Sequence, residues 1–177
     1  MRRTCIIPLL FWFSSAHSSG AAGDRFTHYA GFELERSTLS DVQDLLGESR
    51  IREAGDAGEY QAWVCYSTAW GEVRFNSGEM GGGTVLLGIT MSESMAADCP
   101  EAGRPLPTEI AGLRLGIAPE QFKHVTGTVI EWDNDVGTAT FEYKIHEKPP
   151  VDVLITVVGT FSEGRLVKFS VWKIAST

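Results

Sequence analysis

The chain reads as an α+β protein built from two tandem copies of a unit in which one short helix precedes antiparallel strands. Three observations lead there. Ser37 to Gly47 and Ile117 to Gly127 are two short amphipathic segments, 80 residues apart, and each closes on glycine. Each is followed by aromatic-rich runs in which apolar and polar residues alternate, the period of a strand. Apolar content of 43% and charged content of 21% in 177 residues suit one folded domain, or two small ones sharing a core. The expected boundaries are 1–23 for a signal peptide, 24–95 for the first repeat, 96–109 for a linker and 110–177 for the second repeat. The units are expected to form one extended or concave sheet.

Each segment has its own justification. Met1-Arg2-Arg3-Thr4 is basic, Ile6 to Phe13 is apolar, and Ser14 to Gly23 is small and polar. That order describes a secretory signal, with cleavage after Ala16 or after Ala22. The apolar run is far below the roughly 20 residues that span a bilayer. Cys5 precedes that run, so no lipid anchor is expected. Phe32-Glu33-Leu34 suggests a short strand. Leu39, Val42, Leu45 and Leu46 share a helix face, capped by Thr38 or Ser37 and stopped by Gly47. Glu48 to Gly58 reads as a loop.

Tyr60 to Tyr66 and Glu72 to Asn76 read as strands, and Ser77 to Gly83 as a glycine-rich hairpin turn. In the next strand Val85, Leu87, Ile89 and Met91 share one face. Ser92 to Pro107 lacks periodicity. Pro119 sits at the favoured first helical position, and Phe122 and Val125 correspond to Val42 and Leu45. Asp133 to Gly137 is turn chemistry. The remaining strands are Thr138 to Ile145, Val151 to Phe161 and Leu166 to Ile174, the last two joined by Ser162-Glu163-Gly164-Arg165.

Charge and cysteines narrow the function classes. Loss of Arg2 and Arg3 with the signal takes the formal charge from -8 to -10, 13 basic against 23 acidic side chains. So acidic a surface argues against nucleic acid and anionic lipid, which require basic surface. Loss of Cys5 leaves Cys65 and Cys99. In an oxidising compartment this pair is expected to form a disulfide, the alternative being two buried thiols.

No catalytic pattern emerges. The chain has no G-x-S-x-G elbow and no H-E-x-x-H. His28, His124 and His146 lie beside no serine or cysteine in a recognisable arrangement. Gly78 to Thr84 lacks the lysine of a phosphate loop. Asp133-Asn134-Asp135 opens like a calcium loop, but Thr138 and Lys144 stand where that loop needs glycine and glutamate. The expectation is no enzyme, no metal and no cofactor.

The segment Gly-Ile-Ala-Pro-Glu-Gln-Phe-Lys-His-Val-Thr-Gly, Gly116 to Gly127, resembles the helix-opening signature of the β-lactamase-inhibitor-protein-like fold. Small outer-membrane-assembly lipoproteins share a single copy of that fold. The first copy departs from the pattern, with Ser37-Thr38-Leu39 in place of the expected Gly-Met-Thr-like residues. The resemblance implies a tandem pair of helix-plus-sheet units and, as partner, an envelope enzyme or an assembly component.

Alternation places Val85, Leu87, Ile89, Phe141, Tyr143, Val167, Phe169 and Val171 against the helices. It places Trp63, Arg74, Leu86, Glu142, Leu154, Thr156, Lys168 and Trp172 on the opposite face. Tryptophans with a few charges on an open sheet suit partner recognition. That face is either open, or covered by the linker or the other half. The chain is therefore expected to be a periplasmic or secreted protein-binding module, inhibitor-like or assembly-factor-like, in which Trp63 and Trp172 anchor the partner. The competing expectation is a cone-shaped domain with a ligand or catalytic pocket under the sheet.

Overall fold

The structure is a computed structural model that describes residues 19–56, 59–96, 98–145 and 151–176, without the side chains of residues 19–21, 81, 143 and 145. The proposed signal segment up to residue 18, the Tyr143 side chain and His146 lie outside the described residues. A short helix, α1 (Ser19–Asp24), leads into a hairpin of β1 (His28–Tyr29) and β2 (Phe32–Glu33). There follow α2 (Leu39–Leu46), β3 (Arg52–Ala54), β4 (Gln61–Thr68), β5 (Gly71–Gly78), a 3-10 turn at Glu79–Gly81 and β6 (Gly88–Ser92). A second hairpin, β7 (Glu109–Ile110) and β8 (Leu113–Arg114), is followed by α3 (Pro119–Thr126), β9 (Ile130–Asp133), β10 (Val136–Ile145), β11 (Val151–Ser162) and β12 (Arg165–Ser176).

Eight strands form one antiparallel sheet in the order β3-β4-β5-β6-β12-β11-β10-β9. Of the four strands that follow α2 and the four that follow α3, the last lies at the centre, at the β6–β12 junction, and the first at an edge. The chain is thus α+β, with strands dominating.

One face of the sheet carries the core. Val64 and Tyr66 of β4, Phe75 of β5, Ile89 and Met91 of β6, Phe169 and Val171 of β12, and Ile155 and Val157 of β11 are all buried. They meet Leu39, Val42 and Leu46 of α2 and Phe122 of α3 in one continuous cluster. Leu45 is exposed, so α2 buries three of its four expected apolar residues. Thr38 caps α2 in a reciprocal box with Asp41, and the Tyr66 hydroxyl donates to the Gly47 carbonyl at 2.6 Å. Phe122 stacks edge-on against Phe161. It also crosses Gly159, where an added Cβ would lie 3.0 Å from its ring.

Several local readings change. Glu48 to Gly58 contains the edge strand β3, paired with β4 from Arg52 opposite Trp63. Leu86 is fully buried, not part of the outer face. The strand begins only at Gly88, and the Leu86 backbone pairs instead with Glu35 and Ser37. Val167 is not a core residue. A register shift between Thr160 and Phe161 leaves Val167 unpaired in the ladder, and the buried positions become Leu166 and Phe169.

Candidate functional site

The opposite face of the sheet carries rows of side chains in register across the strands. One row runs Arg52, Trp63, Asn76, Gly88, Trp172, Thr156, Thr140. Trp63 and Trp172 therefore share a row, three strands apart, or about 14 Å at ordinary strand spacing. The next row runs Cys65, Arg74, Thr90, Ser170, Val158, Thr138, and the third runs Ser67, Glu72, Ser92, Lys168, Thr160. On the far side of the tryptophan row lie Ile174, Leu154 and Glu142.

Six of the seven expected partner-binding residues thus occupy one face. Trp63, Arg74, Leu154 and Trp172 are half-buried, and Glu142 and Lys168 are exposed. Leu86 is the exception. The residues that tie the patch together, Asn76, Gly88, Thr90, Ser170 and Glu72, were not expected to matter. The Asn76 amide donates to Thr90 Oγ1 at 3.1 Å, and Thr90 Oγ1 lies 2.9 Å from Ser170 Oγ. This chain links three strands and fixes the floor between the tryptophans. Gly88 provides a flat seat: a Cβ there would lie 2.6 Å from the Trp172 ring. An isolated glycine inside an apolar run was the available signal for such a close approach. The Trp63 Nε1 is buried without a hydrogen-bond partner among the described residues. What Trp63 offers outward is therefore hydrocarbon.

The segment after β6 covers one end of this face. Cys65 and Cys99 form a disulfide, with α-carbons 5.3 Å apart. The Ser67 amide donates to the Pro100 carbonyl, and Asp98 pairs with Arg52 at 2.8 Å. The segment then turns to the helix face. There the Gly103 amide donates to Leu46 at the end of α2, and the Tyr29 hydroxyl donates to Pro107. It is a strap around the β4–β5 end of the sheet. It covers Cys65 and Glu72 and meets the tryptophan row at its β3 end, at Arg52, while Trp63 and Trp172 stay partly exposed.

Under the strap Glu72 is 1% exposed, paired with the Arg74 Nε, and accepts the Ala96 amide at 2.7 Å. A cleft of about 320 Å³ opens beside this pair, between the strap and Lys168. A broader groove of about 980 Å³ lies between Trp70 and strap residues 101–106. His124 sits on a shallow surface of α3. No group of three or more His, Cys, Asp or Glu converges as a metal site among the described residues. No helix among them is long and apolar enough to cross a membrane. No family model, no curated protein and no solved structure matches this chain.

Proposed function

We propose that the chain is an exported, non-enzymatic module that holds a protein partner on the outer face of its sheet. The observation that carries this reading is the shared row of Trp63 and Trp172, both partly exposed and braced from the side by Gly88 and the Asn76–Thr90–Ser170 chain. Paired aromatic anchors on a rigid strand floor suit a binding surface, because little side-chain freedom is left to lose on association. Arg74 and Lys168 on one flank, and Glu142 on the other, set register. The Cys65–Cys99 disulfide is compatible with an oxidising compartment, periplasmic or extracellular.

The architecture is read as a duplication. Each half runs hairpin, helix, four strands, and both hairpins turn at Ala-Gly with positive φ, at Ala30-Gly31 and Ala111-Gly112. A tandem plan of this kind is what the resemblance to the β-lactamase-inhibitor-protein-like fold implies. A fold by itself names no partner.

The test is affinity capture from envelope extract by the mature protein, beside a Trp63→Ala/Trp172→Ala variant shown folded by circular dichroism. A partner retained by the wild type and lost by the variant supports the reading. Equal capture by both would sink it.

A further inference from the structure

The cleft beside Arg74 has chemistry that a docking face alone does not require. Arg74 comes from β5 and Lys168 from β12, two strands apart on the same face. Glu72 faces the same cleft, but its carboxylate is already engaged by the Arg74 Nε and by the Ala96 amide. Because Arg74 reaches Glu72 through Nε, both terminal guanidinium nitrogens lie outside that bond. Lys168 takes part in no ion pair among the described residues. Two cations against one carboxylate leave a single positive charge, in a chain whose formal charge is -8.

Hydroxyls complete the lining. Ser92 Oγ accepts the Ser94 amide at 3.1 Å, which leaves its own hydrogen free to donate into the cleft. Met95, largely exposed, forms an apolar wall. Hydroxyl donors, a net single positive charge and a planar guanidinium edge match one carboxylate better than a dianionic phosphate.

We propose that the Arg74–Lys168 cleft is a carboxylate-binding site that receives one acidic side chain of a protein partner. The identity of that ligand as a side chain rests on the docking function proposed above; the carboxylate affinity of the cleft does not. The arrangement fixes the partner's position along the sheet, because the acidic group must enter beside the strap while apolar groups meet Trp63 and Trp172.

The probe is glutarate as its monomethyl ester, which carries one carboxylate, titrated into the isotope-labelled mature protein at low ionic strength, with inorganic phosphate as a parallel arm. Saturable NMR shifts at Ser92, Arg74 and Lys168 are expected, with phosphate weaker. Lys168 is exposed, so Lys168→Gln keeps the fold, and it should weaken glutarate by roughly 5- to 10-fold, as loss of one charge-assisted contact does. Arg74→Lys keeps the charge over Glu72 but removes the planar edge, and should weaken glutarate by a similar factor. No saturable shift at these residues, equal affinity in Lys168→Gln, or tighter phosphate than glutarate would overturn the proposal. Glutarate bound in the cleft while Trp63→Ala/Trp172→Ala captures protein normally would uphold the cleft and sink the tryptophan docking reading alone.

Discussion

The Trp172 indole rests directly on the α-carbon of Gly88, its strand neighbour across the β6–β12 junction. The contact lies at the centre of the eight-stranded sheet, where the two halves of the chain meet, so the most central outer-face tryptophan is seated by the other half. Gly88→Ala places a methyl 2.6 Å from the ring. Trp172 is half-buried with a solvent side, so it can swing outward. Removing a strand glycine gives back about 0.5–1 kcal/mol of chain entropy, which offsets part of the disturbance. The expected result is little change in melting temperature and a red-shifted tryptophan emission. An unchanged spectrum would mean that the indole is not seated on Gly88.

The strap depends on the Cys65–Cys99 disulfide, which closes a 34-residue separation. The chain-entropy relation assigns such a loop about 4 kcal/mol of stabilisation. Reduction, or Cys65→Ala/Cys99→Ala, should lower the midpoint of denaturant unfolding accordingly. In native-state hydrogen exchange the amides of Ala96 and Ser67 should lose protection, because both are held by the strap. Amides of β11 and β12 should keep theirs at low denaturant.

The Glu72–Arg74 pair should respond asymmetrically to loss of either member. The Glu72 side chain is 1% exposed and the Arg74 side chain 38%. Arg74→Met strands a carboxylate that water cannot reach and should cost about 3 kcal/mol. Glu72→Gln leaves a guanidinium that water can solvate and a neutral group that still accepts the Ala96 amide, and should cost about 1 kcal/mol. Urea unfolding of the two variants checks the order. A larger loss in Glu72→Gln contradicts the burial pattern.

Alkaline pH should unfold the protein through its tyrosines. Burial pushes the Tyr66 hydroxyl up to about 12 and raises Tyr29 further. Their native values lie above the unfolded value near 10, so the stabilisation is fully present below about pH 10 and is lost as pH rises from there through the native values. Each tyrosine contributes a slope of about 1.4 kcal/mol per pH unit across its window. Tyr66→Phe should flatten the decline seen in denaturant unfolding between pH 10 and pH 12, and an unchanged slope would contradict it.

Much of this arrangement is readable from local pattern. The alternation of Ala62, Val64 and Tyr66 against Trp63 and Cys65 determines which face each side chain takes, since burial admits only one parity. Thr38 and Pro119 mark helix starts because capping is a local interaction. Leu86 failed because an alternating apolar run does not show where pairing begins, and the Leu86 backbone bonds to the 35–37 segment instead. Val167 failed because a single bulged residue inverts parity beyond it. The Ala-Gly hairpins were missed because alanine rarely adopts positive φ and gives no turn signal. The strap depends on contacts between residues distant in sequence, such as Arg52 with Asp98, which no local period encodes. The cysteine pair was the exception, through even parity after loss of Cys5.

The measurement closest to the central claim compares two tryptophan losses on the same captured partner. Trp132 is 47% exposed, but it lies on edge strand β9 against Phe161, away from the row of Trp63 and Trp172. Binding to the captured partner should fall at least roughly 100-fold in Trp63→Ala/Trp172→Ala, the loss of two aromatic anchors. In Trp132→Ala it should stay within a factor of about two. The reverse pattern, with binding lost on removing Trp132 and kept without the outer-face pair, would place the partner elsewhere and contradict the account.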